Sequence, residues 1–189
     1  SDDIAINDTN LVANFVDKNA GTGKQVNISG VTLSGADAGN YNVTAPSSLT
    51  ATIAQKEVTI VNGSIAGVNK TYDGTTTATV TNEGTLVGLV SETLTLDYTA
   101  NFIDKNAGTN KNIDVSYSLE DGTNGGLASN YKIKVGDEIT TTTAVIYKKT
   151  VNNVSYTVDN KVYDGNYNAV AKGSSTDFIA GDKIGFTQT

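Results

Sequence analysis

The chain contains no Cys, His, Met, Trp or Arg, and it has a single Pro. Each absence removes a class of chemistry. Without Cys there is no disulfide and no thiolate nucleophile. Without His and Cys there is no zinc site of the usual ligands and no triad with a histidine base. Without Trp there is no indole platform for a sugar ring. Apolar residues make up 38% of the chain and charged residues 17%, both below the usual share for globular proteins. Thirteen Lys stand against 20 acids, for a net charge of −7. Phosphate contacts need clustered positive charge, so no nucleic-acid partner is expected. No apolar run reaches the roughly 18 residues of a spanning helix, so no membrane insertion is expected. The chain opens on Ser-Asp-Asp without an initiator Met or a secretion leader, which reads as a segment of a longer protein.

What fills the gap is Gly, Asn, Ser and Thr: 19 Gly, 21 Asn and 41 Ser plus Thr in 189 residues. Thr and Val suit pleated, half-buried surfaces, and Asn, Asp and Gly suit turns. This is an all-β composition with many turns. Regularly spaced aromatic and β-branched residues argue against disorder.

The strongest signal is internal repetition. Phe15-Val-Asp-Lys-Asn-Ala-Gly-Thr-Gly-Lys24 returns as Phe102-Ile-Asp-Lys-Asn-Ala-Gly-Thr-Asn-Lys111, identical at eight of ten positions at an offset of 87. Asn40-Tyr41 returns as Asn130-Tyr131, Ala51-Thr-Ile53 as Ala144-Val-Ile146, and Lys70-Thr-Tyr-Asp-Gly74 as Lys161-Val-Tyr-Asp-Gly165. Ser1-Asp-Asp-Ile-Ala-Ile6 matches Ser91-Glu-Thr-Leu-Thr-Leu96. A period near 90 exceeds a solenoid rung and fits an immunoglobulin-like sandwich. One phase gives 1–55 as the C-terminal half of a unit, 56–148 as a complete unit and 149–189 as the N-terminal half of the next. The other gives two domains, 1–90 and 91–189. In the first phase each end half exposes unpaired strand edges, which invites pairing.

Period-two alternation marks strands. Gln25–Leu33 reads as one, with a parity flip at Gly30 that predicts a β-bulge. Its counterpart carries Ile113, Val115, Tyr117 and Leu119 in unbroken parity, so no bulge is expected there. Further strands are expected at Leu49–Ile53, Glu57–Val61, Thr76–Val80, Thr93–Tyr98, Lys132–Val135, Thr142–Tyr147, Tyr156–Val158 and Lys183–Thr187. Asn62-Gly63, Asp73-Gly74, Asp121-Gly122, Gly125-Gly126 and Asp164-Gly165 mark turns. Sequential short strands favour antiparallel sheets packed as a sandwich.

Lys-x-Tyr-Asp-Gly, followed by Phe-x-Asp-Lys-Asn-Ala-Gly-Thr, Leu33-Ser-Gly-Ala-Asp-Ala-Gly-Asn-Tyr41 and Thr50-Ala-Thr-Ile53, resembles the YDG and MBG (mostly bacterial Ig-like) repeats of filamentous-haemagglutinin-like surface adhesins. The resemblance implies tandem extracellular Ig-like β-sandwich modules, forming the stalk or fibre of a large bacterial surface protein. It supplies no catalytic residues. Leu119–Tyr131 and Asn166-Tyr-Asn168 depart from the pattern, as loop variation would.

The motif residues read as turns. Tyr72-Asp73-Gly74 and Tyr163-Asp164-Gly165 fit a strand that ends on a buried Tyr, followed by a turn shaped by Asp and Gly. The competing reading is an exposed, ligand-contacting loop. Asp17, Asn19 and Gly21, with Asp104, Asn106 and Gly108, fit turns in which Gly takes a positive φ and Asp and Asn bond nearby backbone. A Lys beside Asn and Asp also raises an intramolecular isopeptide crosslink as an alternative. Asp2, Asp3, Asp8 and Asp37 offer oxygen ligands for calcium, without an EF-hand or nonapeptide pattern. No other cofactor is expected. Sequons at Asn7, Asn27, Asn42, Asn62, Asn69 and Asn153 are close to what chance placement gives in this composition.

These readings lead to a non-catalytic structural module of an extracellular filament or adhesin stalk, whose partners are neighbouring repeat units. Two alternatives stand beside it. One is a glycan- or host-protein-binding module using end loops such as Glu120–Ser129. The other is a fibre subunit completed by strand exchange between copies.

Overall fold

The computed structural model describes residues 2–61, 63 and 65–185. Over these residues the chain is all-β, as the Thr- and Val-rich composition implies. The first five strands are β1 (Ala5–Asn7), β2 (Val12–Phe15), β3 (Gly21–Ser29), β4 (Thr32–Ser34) and β5 (Thr50–Ile53). Then come β6 (Lys56–Val61), β7 (Ala66–Gly67), β8 (Lys70–Thr71), β9 (Val80–Thr81), β10 (Thr85–Val87), β11 (Leu94–Phe102) and β12 (Gly108–Asp121). The last four are β13 (Tyr131–Ile133), β14 (Ile139–Tyr147), β15 (Val154–Val158) and β16 (Ala171–Ser175). Single 3-10 turns at Ala38–Asn40 and Ala128–Asn130 precede Tyr41 and Tyr131 at the repeat spacing.

Two compact units are drawn from interleaved stretches. One comprises Ser1–Ile60, Leu86–Asp97 and Ser118–Val135; the other comprises Val61–Thr85, Tyr98–Tyr117 and Gly136–Thr189. The first unit holds the β1–β4 pair, the β2-β3-β5 sheet and the β10-β6-β13 sheet. Its buried side chains are Val58, Ile60 and Tyr131. The second holds the β7–β9 and β15–β16 pairs, together with β14, β8 and the Tyr98–Tyr117 portions of β11 and β12, all of one sheet. Its core is Val80, Ala100, Phe102, Ile113, Val115, Tyr117, Ala144 and Ile146.

The repeat recurs in sheet register. β3 pairs with β5 through Gly21 opposite Ile53 and Lys24 opposite Ala51, with a register shift between Gly21 and Lys24. β12 pairs with β14 through Gly108 opposite Ile146 and Lys111 opposite Ala144, with the same shift. Val16 N–H donates to the Gln25 carbonyl, and Ile103 N–H to that of Asn112. One difference divides the two sheets. Ile113 and Val115 of β12 are fully buried, whereas their counterparts Val26 and Ile28 of β3 are half-buried. The cause lies in the second unit, where the 65–81 stretch lies on the sheet. The Thr142 hydroxyl donates to the Ile65 carbonyl, and the Val145 N–H to Asn69 Oδ1. Gly67 packs so closely that a Cβ there would stand 2.6 Å from Ile113 Cδ1 and 2.8 Å from the Thr143 carbonyl oxygen.

Several expectations need correction. Gly30 is not a bulge inside a ladder. β3 ends at Ser29, and the chain resumes as β4 in a different sheet, while β12 continues unbroken to Asp121. The bulge-like shifts fall instead at Gly21–Lys24 and Gly108–Lys111. The antiparallel expectation does not hold throughout, since β13 pairs parallel with β6 and β14 pairs parallel with β8. Thr76–Val80 forms no continuous strand; its residues bond singly to β11, and only Val80–Thr81 is strand. Lys183–Gly185 is not strand, and 186–189 and Asn62 lie outside the described residues.

Burying an Ile side chain stabilises by about 1.5–3 kcal/mol, and truncating a buried one leaves a cavity as well. Ile113→Ala is therefore expected to lose about 2–5 kcal/mol in urea unfolding. Val26→Ala, at the uncovered equivalent, should lose about 1 kcal/mol or less, since only half its surface leaves water. Gly67→Ala should lose about 1–3 kcal/mol through overpacking against β12 and β14. Equal losses at Ile113 and Val26 would contradict the difference in cover.

Candidate functional site

Three lysine–carboxylate arrangements are built from the repeated motifs, and each occurs twice. The first is the Asp-Lys-Asn-Ala-Gly turn. The Asn19 N–H donates to Asp17 Oδ1 at 2.8 Å, and the Asn106 N–H to Asp104 Oδ1 at 2.7 Å. These are turns closed by an Asp side chain, as the sequence implies. Lys24 pairs with Asp17, and Lys111 with Asp104. Both lysines lie largely covered, with their stems along Gly21 and Gly108 and their heads at the carboxylates. The lysine first, and the backbone N–H second, hold Asp17 and Asp104 below the usual carboxylate range.

Gly21 and Gly108 do not carry the positive φ expected of them. That conformation falls two residues later, at Gly23 (φ 62°) and Asn110 (φ 50°), inside the register shift. Gly and Asn are the residues that tolerate the left-handed region. The Gly-to-Asn exchange between the two copies of the motif was the signal in the sequence.

The second arrangement is the Lys-x-Tyr-Asp-Gly turn. Lys70 Nζ donates to Asp73 Oδ1 and to the Thr75 and Thr77 carbonyls, each at 2.9 Å, and it stands 5.5 Å from the Phe102 ring centroid. Asp73 Oδ1 also accepts the Thr75 N–H. Lys161 repeats this with Asp164 Oδ1 at 2.8 Å and the Asn166 carbonyl at 2.9 Å, and Asp164 accepts the Asn166 N–H. Gly74 (φ 81°) and Gly165 (φ 78°) complete the two turns. Lys70, then the Thr75 N–H, lower the Asp73 pKa to about 2. Lys161 and the Asn166 N–H lower that of Asp164. The two tyrosines differ. Tyr72 is half-buried, but Tyr163 is 93% exposed, so the expected buried tyrosine holds at neither position in full.

The third arrangement joins residues far apart in sequence. Lys18 Nζ meets Glu92 Oε1 at 2.5 Å, and the Tyr131 hydroxyl donates to Glu92 Oε2 at 3.2 Å. Lys105 Nζ meets Asp182 Oδ1 at 3.1 Å, and the Tyr72 hydroxyl donates to both Asp182 oxygens at 2.7 Å. Lys105 also stands over the Tyr72 ring, at 5.9 Å. Glu92 is held low by Lys18 and then Tyr131; Asp182 is held low by Tyr72 and then Lys105. A third acid of the series, Asp2, accepts the Tyr41 hydroxyl. Asp2, Glu92 and Asp182 are spaced by 90 residues, a regularity that could have identified all three.

Matching clefts surround two of these acids. One, of 350 Å³, is lined by Tyr72, Ala107, Lys149, Phe178 and Asp182 among others. The other, of 200 Å³, is lined by Lys18, Ala20, Lys56, Glu92 and Tyr131 among others. Ala20 and Ala107, Lys56 and Lys149, and Glu92 and Asp182 are repeat equivalents.

The carboxylates of these motifs accept from ammonium, hydroxyl or backbone N–H donors, which keeps them ionised. Lys18 and Lys105 reach carboxylates rather than an Asn side chain. Of the four acids considered for calcium, Asp3 accepts the Ala36 N–H, and Asp37 accepts the Asp3 N–H. Among the described residues no group of three or more His, Cys, Asp or Glu stands together as a metal-holding set. The 120–129 stretch is tied down. The Thr123 N–H donates to Thr93 Oγ1 at 2.9 Å, and the Ala128 N–H to Asp121 Oδ1 at 2.7 Å.

Because the folded Asp73 pKa lies below its ordinary value of 3.8, the stability its carboxylate adds is complete above about pH 4. That stability is lost as pH falls through about 2. A carboxyl-detected NMR titration should give a midpoint near 2 for Asp73. Lys70→Gln should move that midpoint up toward 3.8. An unmoved midpoint would show that the lysine does not organise the turn.

Compared with known families, residues 1–51 and 54–144 match the YDG domain. No curated protein and no solved structure matches the chain. With three-quarters of its length matched, the chain belongs to the YDG domain family.

Proposed function

We propose that this chain is a stretch of a tandem array of Ig-like β-modules whose task is mechanical, within an extracellular filament or adhesin stalk of a bacterium. It performs no catalysis. Its partners are neighbouring repeats of the same protein. The observation that carries this reading is the recurring lysine–acid bridge. Lys18 reaches an acid 74 residues onward, and Lys105 reaches one 77 residues onward. Each bridge ties the turn of one repeat to an acid of the next, so order propagates along the chain through neighbour contacts.

The repeat phase with a complete unit at 56–148 has support of two kinds. The family match falls into the two stretches 1–51 and 54–144, close to that boundary. Among the described residues, the buried hydrophobic ones all lie between Val58 and Ile146. The acidic surface favours solubility of a long repetitive polymer. The polar turn side chains are engaged in holding backbone, which suits a spacer better than a reactive site.

Small-angle scattering on the chain and on tandem fusions of it tests the reading. The maximum dimension should grow by a constant increment with each added copy. A radius that grows only as a compact globule of the same mass would contradict a stalk.

A further inference from the structure

β14 and β8 run parallel, with Ile146 opposite Lys70 and Tyr147 opposite Thr71. The contact is reinforced on both sides of that ladder. The Tyr72 N–H donates to the Tyr147 carbonyl at 2.8 Å. Asn69 Oδ1 accepts the Val145 N–H at 2.8 Å, and Asn69 Nδ2 donates to the Tyr147 hydroxyl at 3.2 Å. Residues 69–72 are thus fastened to 145–147 by backbone and side chain together. Ile146, in the middle of this seam, is 1% exposed.

The direction of the chain through the seam decides how it meets a pull. Tension from the N-terminal side reaches β8 at its Lys70 end. Tension from the C-terminal side reaches β14 at its Tyr147 end. In a parallel pair these are opposite ends of the ladder, so the strands are drawn past each other along their length. All the bonds of the seam then share the tension and must fail together. β7 and β9 are antiparallel and behave otherwise. Ala66 lies opposite Thr81, so the incoming end of one strand sits beside the outgoing end of the other. A pull opens such a pair one bond at a time. The strand that begins the 56–148 repeat is held as the one that ends it. β6 pairs parallel with β13, with Lys56 opposite Tyr131, and the Lys134 N–H donates to the Val58 carbonyl.

We propose that the β8–β14 seam is the mechanical clamp of the repeat, resisting tension along the chain by shear, with a strength that depends on the direction of pull. The inference rests on the mechanical reading above and deepens it by naming the contact that carries the force. Asn69 is the positioning residue of the clamp. Its one side chain bonds β14 on either side of Ile146, so both bonds break in the same event as the ladder.

The chain has no Cys, so pairs of introduced thiols define the points of pull in single-molecule force spectroscopy. Gly63→Cys is the common handle, because a Cβ there meets nothing within 4 Å. Paired with Thr150→Cys, it pulls the seam from opposite ends. Paired with Thr143→Cys, on an exposed position of β14 before Ile146, it pulls the seam from one end. The same contact separates in both, so thermodynamic stability cannot account for a difference. The 63–150 pull should rupture at about twice the force of the 63–143 pull or more, at one loading rate. Tyr147→Phe keeps the ring and removes the acceptor of Asn69 Nδ2. It should lower the 63–150 force and leave the 63–143 force close to unchanged. Asn69→Ala should lower the 63–150 force further. Circular dichroism reports whether each variant stays folded. Equal forces in the two directions, or a 63–150 force that neither substitution moves, would overturn the clamp. Equal forces in a chain whose tandem fusions still lengthen by a constant increment would overturn the clamp and leave the stalk reading in place. A direction-dependent force in a chain whose fusions stay compact would keep the clamp and overturn the stalk.

Discussion

The face of β12 cannot bury itself. Ile113 and Val115 reach full burial in the unit where the 65–81 stretch lies over them, and Gly67 is the close contact that lets that stretch lie flat. The sheet of β12 and β14 therefore depends on a segment that comes before it in the chain. A single sheet with an open apolar face is the incomplete form, and the partly covered face of β3 shows that form within the same molecule. The dependence separates two motifs of this chain by role. Lys-x-Tyr-Asp-Gly belongs to the cover, and Phe-x-Asp-Lys-Asn-Ala-Gly-Thr belongs to the sheet that is covered.

The lysines make the dependence specific. Lys70 gathers Asp73 and the Thr75 and Thr77 carbonyls into one compact turn and holds its ammonium over the Phe102 ring. Lys24 and Lys111 brace the register shifts at the start of β3 and β12. Lys18 and Lys105 reach acids 74 and 77 residues onward in the chain. Exposed ion pairs add little stability each. Their regular recurrence instead fixes which segment meets which, and the apolar face supplies the driving force. The depressed carboxylate pKa values follow from the same contacts and keep the acids charged well into the acid range.

Much of this was legible in the sequence because it is local or strictly periodic. The alternation of Ile113, Val115 and Tyr117 gives the buried face of β12 directly. The Asp17 and Asp104 turns follow from Asp-Lys-Asn chemistry two residues apart. Contacts across long separations were harder to read. Glu92 and Asp182 differ in side-chain length and sit far from their lysines, so only the successive 90-residue steps from Asp2 mark them. The left-handed position was misplaced because two glycines stand close together, and only the Asn110 equivalent tells Gly23 from Gly21. Tyr72 and Tyr163 carry the same motif and meet different surroundings, which no local pattern distinguishes. The parallel pairings of β6 and β8 join strands from different parts of the repeat and leave no mark on periodicity.

The central claim is that cover by a preceding segment, and not the sheet's own sequence, decides whether the apolar face is protected. Residue-resolved amide hydrogen exchange of the dilute chain measures this most directly, because protection follows local opening. The account predicts that amides around Ile113 and Val115 exchange far more slowly than those around Val26 and Ile28, despite matching sequence and register. Equal protection of the two strands in dilute solution would contradict it.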